Sequence, residues 1–371
     1  MGKKRRAAGC VLLAVFLIMG IRYFSGHPDM VSTAVQNYYL KAVNELIPSY
    51  HSGGQPIYGS VLNKIITTYR NDIVPSICYS ENYSEVKSSD LVKNQFYDLE
   101  DNEQSGVRVD EVPAKKTVFN SKKWNDPNYL RKYIYQVDST TMVTNSEING
   151  KVLLNKDLSL KKSKQPQILI FHTHGSEAYK DSRKGEKSDT VIGAGDVLTK
   201  LLREQYGINV IHDRGIYDVK NGKEDRSKAY YYAAASVERY LKKYPSIQVV
   251  IDLHRDGVKE STKLVSKQNG VEMAQFMFFN GISRTAKNGD IKYLKNPNKK
   301  TNLAFSLQLQ AEAMKKYPGL TRKIYIKGYR YNLHYRGRSL LIELGAQNNT
   351  VKQAKNAMKP LAEILNDVLY P

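Results

Sequence analysis

Three groups of imidazole and carboxylate side chains close three apolar runs in this 371-residue chain. "QILIF" runs into His172, Thr173, His174 and Glu177; "IQVVIDLH" ends on His254, with Arg255 and Asp256 behind it; and "SLLIELG" carries Glu343. A hydrolytic zinc centre takes three nitrogen or oxygen ligands and keeps one position open for water. A further carboxylate must accept that water's proton. His172, His174, Glu177 and His254 are the candidate metal ligands, and Glu343 is the candidate general base. Glu343 is the most informative, because an ionised carboxylate inside an apolar strand is costly unless a metal, a cation or a proton answers it. Each residue also has a plainer reading. His254 reads as a hydrogen-bonded structural histidine, one of His172 and His174 as a support for the other, and Glu177 as a turn or cap residue. Glu343 reads as the partner of Arg255 or Arg338 in a buried ion pair. His212 in "INVIHD" reads as structural, and "KGYRYNLHYRGR" reads either as a ligand-facing loop that offers His334 or as a basic surface strand.

These residues work together only if the fold brings the strand ends together. From Pro166 onward, apolar runs alternate with amphipathic stretches. "QILIF", "INVIHD", "IQVVIDLH", "MAQFMFFN" and "SLLIELG" predict strands, and "GDVLTKLLREQYG", "SKAYYYAAASVERYLKKYP" and "TNLAFSLQLQAEAMKKYPG" predict helices. Ser227 is the expected N-cap of the second helix. A closing helix over "VKQAKNAMKPLAEILNDVLY" is expected to bend at Pro360. The alternation predicts an α/β domain of three layers with a mainly parallel sheet, in which working residues sit at the carboxyl ends of strands. Residues 25–164 are polar, rich in Lys, Asn, Ser and Tyr, and read as an extracytoplasmic stalk or partner-binding region before a catalytic domain over 165–371. Within the stalk, "MVTNSEINGKVLL" suggests a hairpin turning at Asn-Gly.

A formal net charge of +21 attracts polyanions: nucleic acid, anionic lipid or anionic wall polymer. The N-terminus narrows that choice. "MGKKRR" followed by "AAGCVLLAVFLIMGI" reads as a basic tip and signal anchor over 1–24, with Tyr23 and Phe24 extending an apolar run otherwise short of the roughly 20 residues of a full span. The basic end stays in the cytoplasm, and the remainder is placed outside a single-pass cell-membrane segment. Nucleic acid is then excluded as a partner, and peptidoglycan is the natural one. The two cysteines, Cys10 and Cys78, provide no disulfide framework.

"HTHGSEAY", "VVIDLHRDG" and "LLIELGAQNNT", in that order and at those strand ends, resemble the stage II sporulation protein P family, whose members resemble zinc-dependent N-acetylmuramoyl-L-alanine amidases. The resemblance covers about Gln167 to Pro371. It implies an amidase-like fold with a Zn2+ cofactor, and hydrolysis of the bond from muramic acid to L-alanine, with endopeptidase activity on cross-links. It also implies work with sporulation proteins D and M as the engulfing membrane migrates around the forespore. By the same resemblance, His174 and His254 take the places of the two zinc histidines, and Glu343 that of the catalytic glutamate. The third ligand departs from the amidase pattern: Glu177 in "HTHGSEAY" is the choice, with Glu186 in "GEKSD" as the alternative. Arg255 or Arg338 is expected to hold substrate carboxylates. The His-x-His pair also opens the metal motif of metallo-β-lactamase-like hydrolases, but their following Asp-His is replaced here by Gly175, Ser176 and Glu177. A non-enzymatic alternative is a membrane-anchored wall-binding scaffold, which has no use for this set of ligands.

Overall fold

Short runs with an apolar residue at nearly every position are the pattern of strands covered on both faces, and here they form the middle of a sheet. The computed structural model describes residues 119–371. In chain order they form α1 (Ser121–Trp124), α2 (Pro127–Tyr133), β1 (Tyr135–Val137), α3 (Gly150–Leu154), β2 (Ile168–Phe171), α4 (Val191–Glu204) and β3 (Val210–His212). A small hairpin, β4 (Val219–Lys220) with β5 (Lys223–Glu224), leads to α5 (Ala229–Lys243) and β6 (Val249–Asp256). The hairpin of β7 (Val265–Gln268) and β8 (Val271–Ala274) precedes β9 (Phe276–Gly281), and β10 (Arg284–Thr285) with β11 (Gly289–Asp290) precedes α6 (Lys299–Lys316). The chain ends with β12 (Ile324–Lys327), β13 (Ser339–Ala346), α7 (Val351–Asn356) and α8 (Met358–Leu369).

Seven strands make one sheet in the order β1-β12-β9-β13-β6-β2-β3. Every pairing in it is parallel except β9 with β13. The exception has a local cause. Parallel neighbours need a crossover connection, usually a helix, and the link from β6 to β9 holds a hairpin instead, so β9 enters from the end where β6 finished. The helix α6 then carries the chain across to β12, which runs parallel to β9. The sheet is therefore mixed but mostly parallel.

Side chains alternate between its two faces with the two-residue period of strands. On one face Ile168, Ile170, Val249, Ile251, Leu253 and Ile342 pack with residues of α4, α6 and α8. On the other, Leu169, Phe171 and Val250 meet Ala233, Val237 and Leu241 of α5, and Met277, Phe279 and Leu341 meet Tyr230, Tyr331 and Leu333. Helices thus lie on both faces. The closing segment breaks at Ala357 into α7 and α8, with Pro360 in the first turn of α8, where its missing N–H costs no helical bond.

Three expectations are corrected. The region before Lys164 is no stalk where it is described: Trp124, Leu130, Ile134, Tyr135, Ile148 and Leu153 are buried in the main core, and β1 is an edge strand of the sheet. The stretch expected as a hairpin forms a turn and α3, capped by Asn149, whose Oδ1 accepts the Val152 N–H at 3.2 Å. Gly150 is there for close approach, since a Cβ would stand 1.8 Å from the Trp124 carbonyl oxygen. Ser227 does not cap α5, because its hydroxyl donates to Asp225 Oδ1 at 2.6 Å. The N-terminal anchor lies outside the described residues, among which no helix is long and apolar enough to cross a membrane.

Candidate active site

The strand period alone would put His172 and His174 on one face of the sheet. A turn directly after β2, closed by the Glu177 N–H on the His174 carbonyl at 3.1 Å, separates them. His172 stays on the α4 side, where Nδ1–H donates to the Leu253 carbonyl at 2.7 Å and Nε2 faces His212 Nε2 at 2.7 Å. Gly195 of α4 makes room for that pair, since a Cβ would lie 2.6 Å from His212 Nε2 and 2.9 Å from His172. Burial, then the neighbouring His212, lowers the His172 pKa to about 3. His172 is therefore not brought to the other candidates.

His174 swings to the α5 side, fully buried, with its ring 5.2 Å from that of His254 and nearly perpendicular to it. Tyr230, from the first turn of α5, packs edge-on against His174 at 5.7 Å and parallel to His254 at 6.5 Å. Burial first, then the positive charges of Arg226, His254 and Arg255, holds the His174 pKa well below the usual range.

His254 is supported from its own strand. Its Nε2 lies 2.8 Å from Asp252 Oδ1, and Asp252 is itself fixed by the Thr173 N–H at 2.8 Å and the Thr173 hydroxyl at 2.6 Å. Burial opposes the charged form of His254, but the carboxylates of Asp252, Glu177 and Glu343 outweigh it and push the pKa up to about 9. Among the described residues neither ring nitrogen has a hydrogen bond of good geometry, and Nδ1 lies 3.6 Å from Glu177 Oε2. Glu343 of β13 is the register partner of His254 in adjacent parallel strands, so the two side chains leave the same face, and Glu343 is 1% exposed.

Glu177 is 4% exposed and held from two sides. The Arg255 backbone N–H donates to Oε2 at 2.8 Å, and Arg226 Nη2 donates to Oε1 at 3.1 Å. Beside it, Asp218 accepts the Ser176 hydroxyl at 2.6 Å, and its Oδ2 lies 3.8 Å from His174 Nδ1. Glu186, the alternative to Glu177, is exposed and stands before a short 3-10 turn.

Among the described residues, no three His, Cys, Asp or Glu side chains stand together as a group that could hold a metal ion as placed. Two spacings are nevertheless those expected between zinc ligands. With Zn–N and Zn–O bonds of about 2.0–2.2 Å and tetrahedral angles, two ligand atoms stand about 3.4 Å apart and two bound imidazole centroids about 5 Å apart. The 3.6 Å from His254 Nδ1 to Glu177 Oε2 and the 5.2 Å between the rings of His174 and His254 agree with both. Asp252 on the far nitrogen of His254 is the usual support of a zinc histidine.

The remaining candidates lie elsewhere. Arg255 uses Nε on the Ala178 carbonyl at 2.8 Å and Nη1 on the Asp256 carbonyl at 3.1 Å, so its guanidinium secures the loop that carries Glu177. Because β12 and β13 run in opposite directions, 328–338 turns back at the end of the sheet where β13 begins. There Arg338 donates to the Leu158 carbonyl at 3.0 Å, and His334 stacks on Tyr335 at 4.1 Å. Neither is brought to the group around His254. Sequence reasoning missed Asp252, Asp218, Arg226 and Tyr230. Asp252 had a signal, an acid inside an apolar strand two residues before a histidine; the others had none.

The sequence model of Stage II sporulation protein P (SpoIIP) matches residues 61–366. A curated "Stage II sporulation protein P" of Bacillus subtilis (strain 168) is 24% identical over 220 residues, 55% of this chain and 51% of that protein. The chain thus spans about half the length of the curated relative it matches. Among solved structures, the N-acetylmuramoyl-L-alanine amidase AmiC2 of Nostoc punctiforme aligns with a TM-score of 0.33 and 11% identity, over 56% of this chain and 98% of that one. The N-acetylmuramoyl-L-alanine amidase from Clostridium difficile 630 aligns with a TM-score of 0.33 and 13% identity, over 56% and 100%.

Proposed function

The chain belongs to the stage II sporulation protein P family, and from that premise we propose that it is a zinc-dependent peptidoglycan hydrolase. Its bond is the amide between N-acetylmuramic acid and L-alanine, with peptide cross-links as a second target. The observation that carries this reading is the meeting of His254 Nδ1 and Glu177 Oε2 at 3.6 Å beside the ring of His174, with Glu343 on the next strand.

In this reading His174, His254 and Glu177 hold the ion, and Asp252 fixes the tautomer of His254. Bound zinc supplies a Lewis acid for the amide carbonyl and brings the pKa of a water down to about 7. Glu343 takes the proton of the attacking water on its carboxylate and returns it to the leaving nitrogen, so that the stem peptide departs as an amine. Met277, the buried register partner of Glu343 on β9, helps keep Glu343 away from bulk water, which strengthens its interaction with every charge nearby. Arg255 serves through its backbone N–H on Glu177 rather than through a substrate contact. The same proposal sets the domain outside the cell membrane, held by the N-terminal segment, acting on septal wall during engulfment beside sporulation proteins D and M.

Digestion of purified peptidoglycan by the full-length protein, with products read by mass, tests the reading. Free stem peptides beginning in L-alanine are expected, lost on chelation and restored by zinc. Intact wall with zinc bound would point to a missing activating partner. Intact wall with no zinc bound would leave only a wall-binding scaffold.

A further inference from the structure

A two-stranded hairpin sets both of its feet against the candidate ligands. The strands β4 and β5 pair Val219 with Glu224 and Lys220 with Lys223, and the two residues between them, Asn221 at φ 52° and Gly222 at φ 75°, are in the left-handed region that a two-residue hairpin turn requires. The Asp225 N–H on the Asp218 carbonyl at 2.8 Å locks the base. Asp218, at the first foot, accepts the Ser176 hydroxyl and lies beside His174. Arg226, at the second, donates Nη2 to Glu177 Oε1 at 3.1 Å.

The two oxygens of Glu177 are divided between different tasks. Oε2 is the oxygen 3.6 Å from His254 Nδ1, where it also accepts the Arg255 N–H at 2.8 Å, and Oε1 is the one that Arg226 takes. A carboxylate that binds a metal through one oxygen is oriented by a hydrogen bond to the other. Among the described residues, the other carboxylate contact of Arg226 is a long one, Nη1 to the exposed Glu224 at 3.5 Å. Its short, well-buried contact with an acid is thus with Glu177, which is 4% exposed.

We propose that Arg226 is a positioning residue for the metal centre: it holds Oε1 of Glu177 so that Oε2 faces the ion, and the hairpin fixes where Arg226 stands. This rests on the zinc reading given above. The alternative action of a nearby cation is charge alone, and it has the opposite sign. Repulsion between a guanidinium and a zinc ion weakens binding, so removing the charge would tighten it, whereas removing a positioning contact loosens it.

The test is zinc affinity of the full-length protein by competition with a colorimetric chelator, for wild type, Arg226→Gln and Arg226→Lys. Thermal midpoints of the metal-free proteins are measured beside it. Wild type is expected to bind one zinc, and Arg226→Gln to bind it about 10- to 100-fold more weakly. Arg226→Lys should recover part of the loss, because an ammonium restores one charged donor without the planar fork. The metal-free midpoint of Arg226→Gln is expected to fall, since Glu177 loses its charge partner, and that of Arg226→Lys to recover part of the fall. Unchanged or tighter binding by Arg226→Gln, with wild type binding zinc, overturns the inference and leaves the hydrolase reading standing. So does a fall in the metal-free midpoint with unchanged affinity, the mark of a purely structural ion pair. Wild type that binds no zinc overturns the zinc reading itself, and this inference with it.

Discussion

Asp252 never needs to meet substrate, yet it controls what His254 can do. With Nε2 2.8 Å from a carboxylate that Thr173 holds in two places, His254 turns Nδ1 toward Glu177. Asn at position 252 has nearly the same shape but a neutral acceptor, and its amide is free to flip. Asp252→Asn is expected to lower zinc affinity about 10- to 100-fold while the fold survives, as read by chelator competition and far-UV circular dichroism; unaltered affinity would remove Asp252 from the centre. Glu343 was identifiable from sequence because a charge inside an apolar strand demands an answer. The same logic applied to Asp252 in "VVIDLH". Arg226 gave no comparable sign, since an arginine in a polar loop is ordinary until the fold sets it on Glu177.

At the level of elements, the turn after β2 decides the site. A strand continued through His174 would have sent both histidines toward α4, where Gly195 has room only for the pairing of His172 with His212. The long apolar strands and amphipathic helices after Pro166 were readable because their periods run for several residues. The pieces from α1 to α3 were not, because helices of four to seven residues are too short to display a period. What marks them is contact, not pattern, as at Gly150. Gly150→Ala is expected to destabilise the protein by about 1–3 kcal/mol, because the new methyl meets Trp124 backbone that cannot yield cheaply. The midpoint of urea denaturation measures it, and an unshifted midpoint would show that 119–164 is only loosely attached to the core.

For the whole molecule, a formal charge of +21 favours anionic polymers as a class and carries no information about a reaction. Stability has its own pH dependence. Burial, then Arg330, lowers the His334 pKa to about 3, against an ordinary value of 6.5. Below pH 6.5 the unfolded chain takes up a proton that the folded one refuses, so this contribution is complete above 6.5 and is lost as pH falls toward 3. His172 and His212, lowered to about 3 and about 4, act in the same direction. The thermal midpoint of His334→Gln should therefore fall less steeply than that of wild type between pH 6.5 and 4; equal slopes would mean that His334 titrates normally in the folded protein. The account as a whole turns on Glu343 as the base beside a metal held by His174, His254 and Glu177. The most direct measurement is the rate at which full-length Glu343→Gln, loaded with zinc, releases L-alanine-terminated peptides from peptidoglycan. The account predicts unchanged zinc content and a rate about 100- to 10,000-fold below wild type; release at the wild-type rate would contradict it.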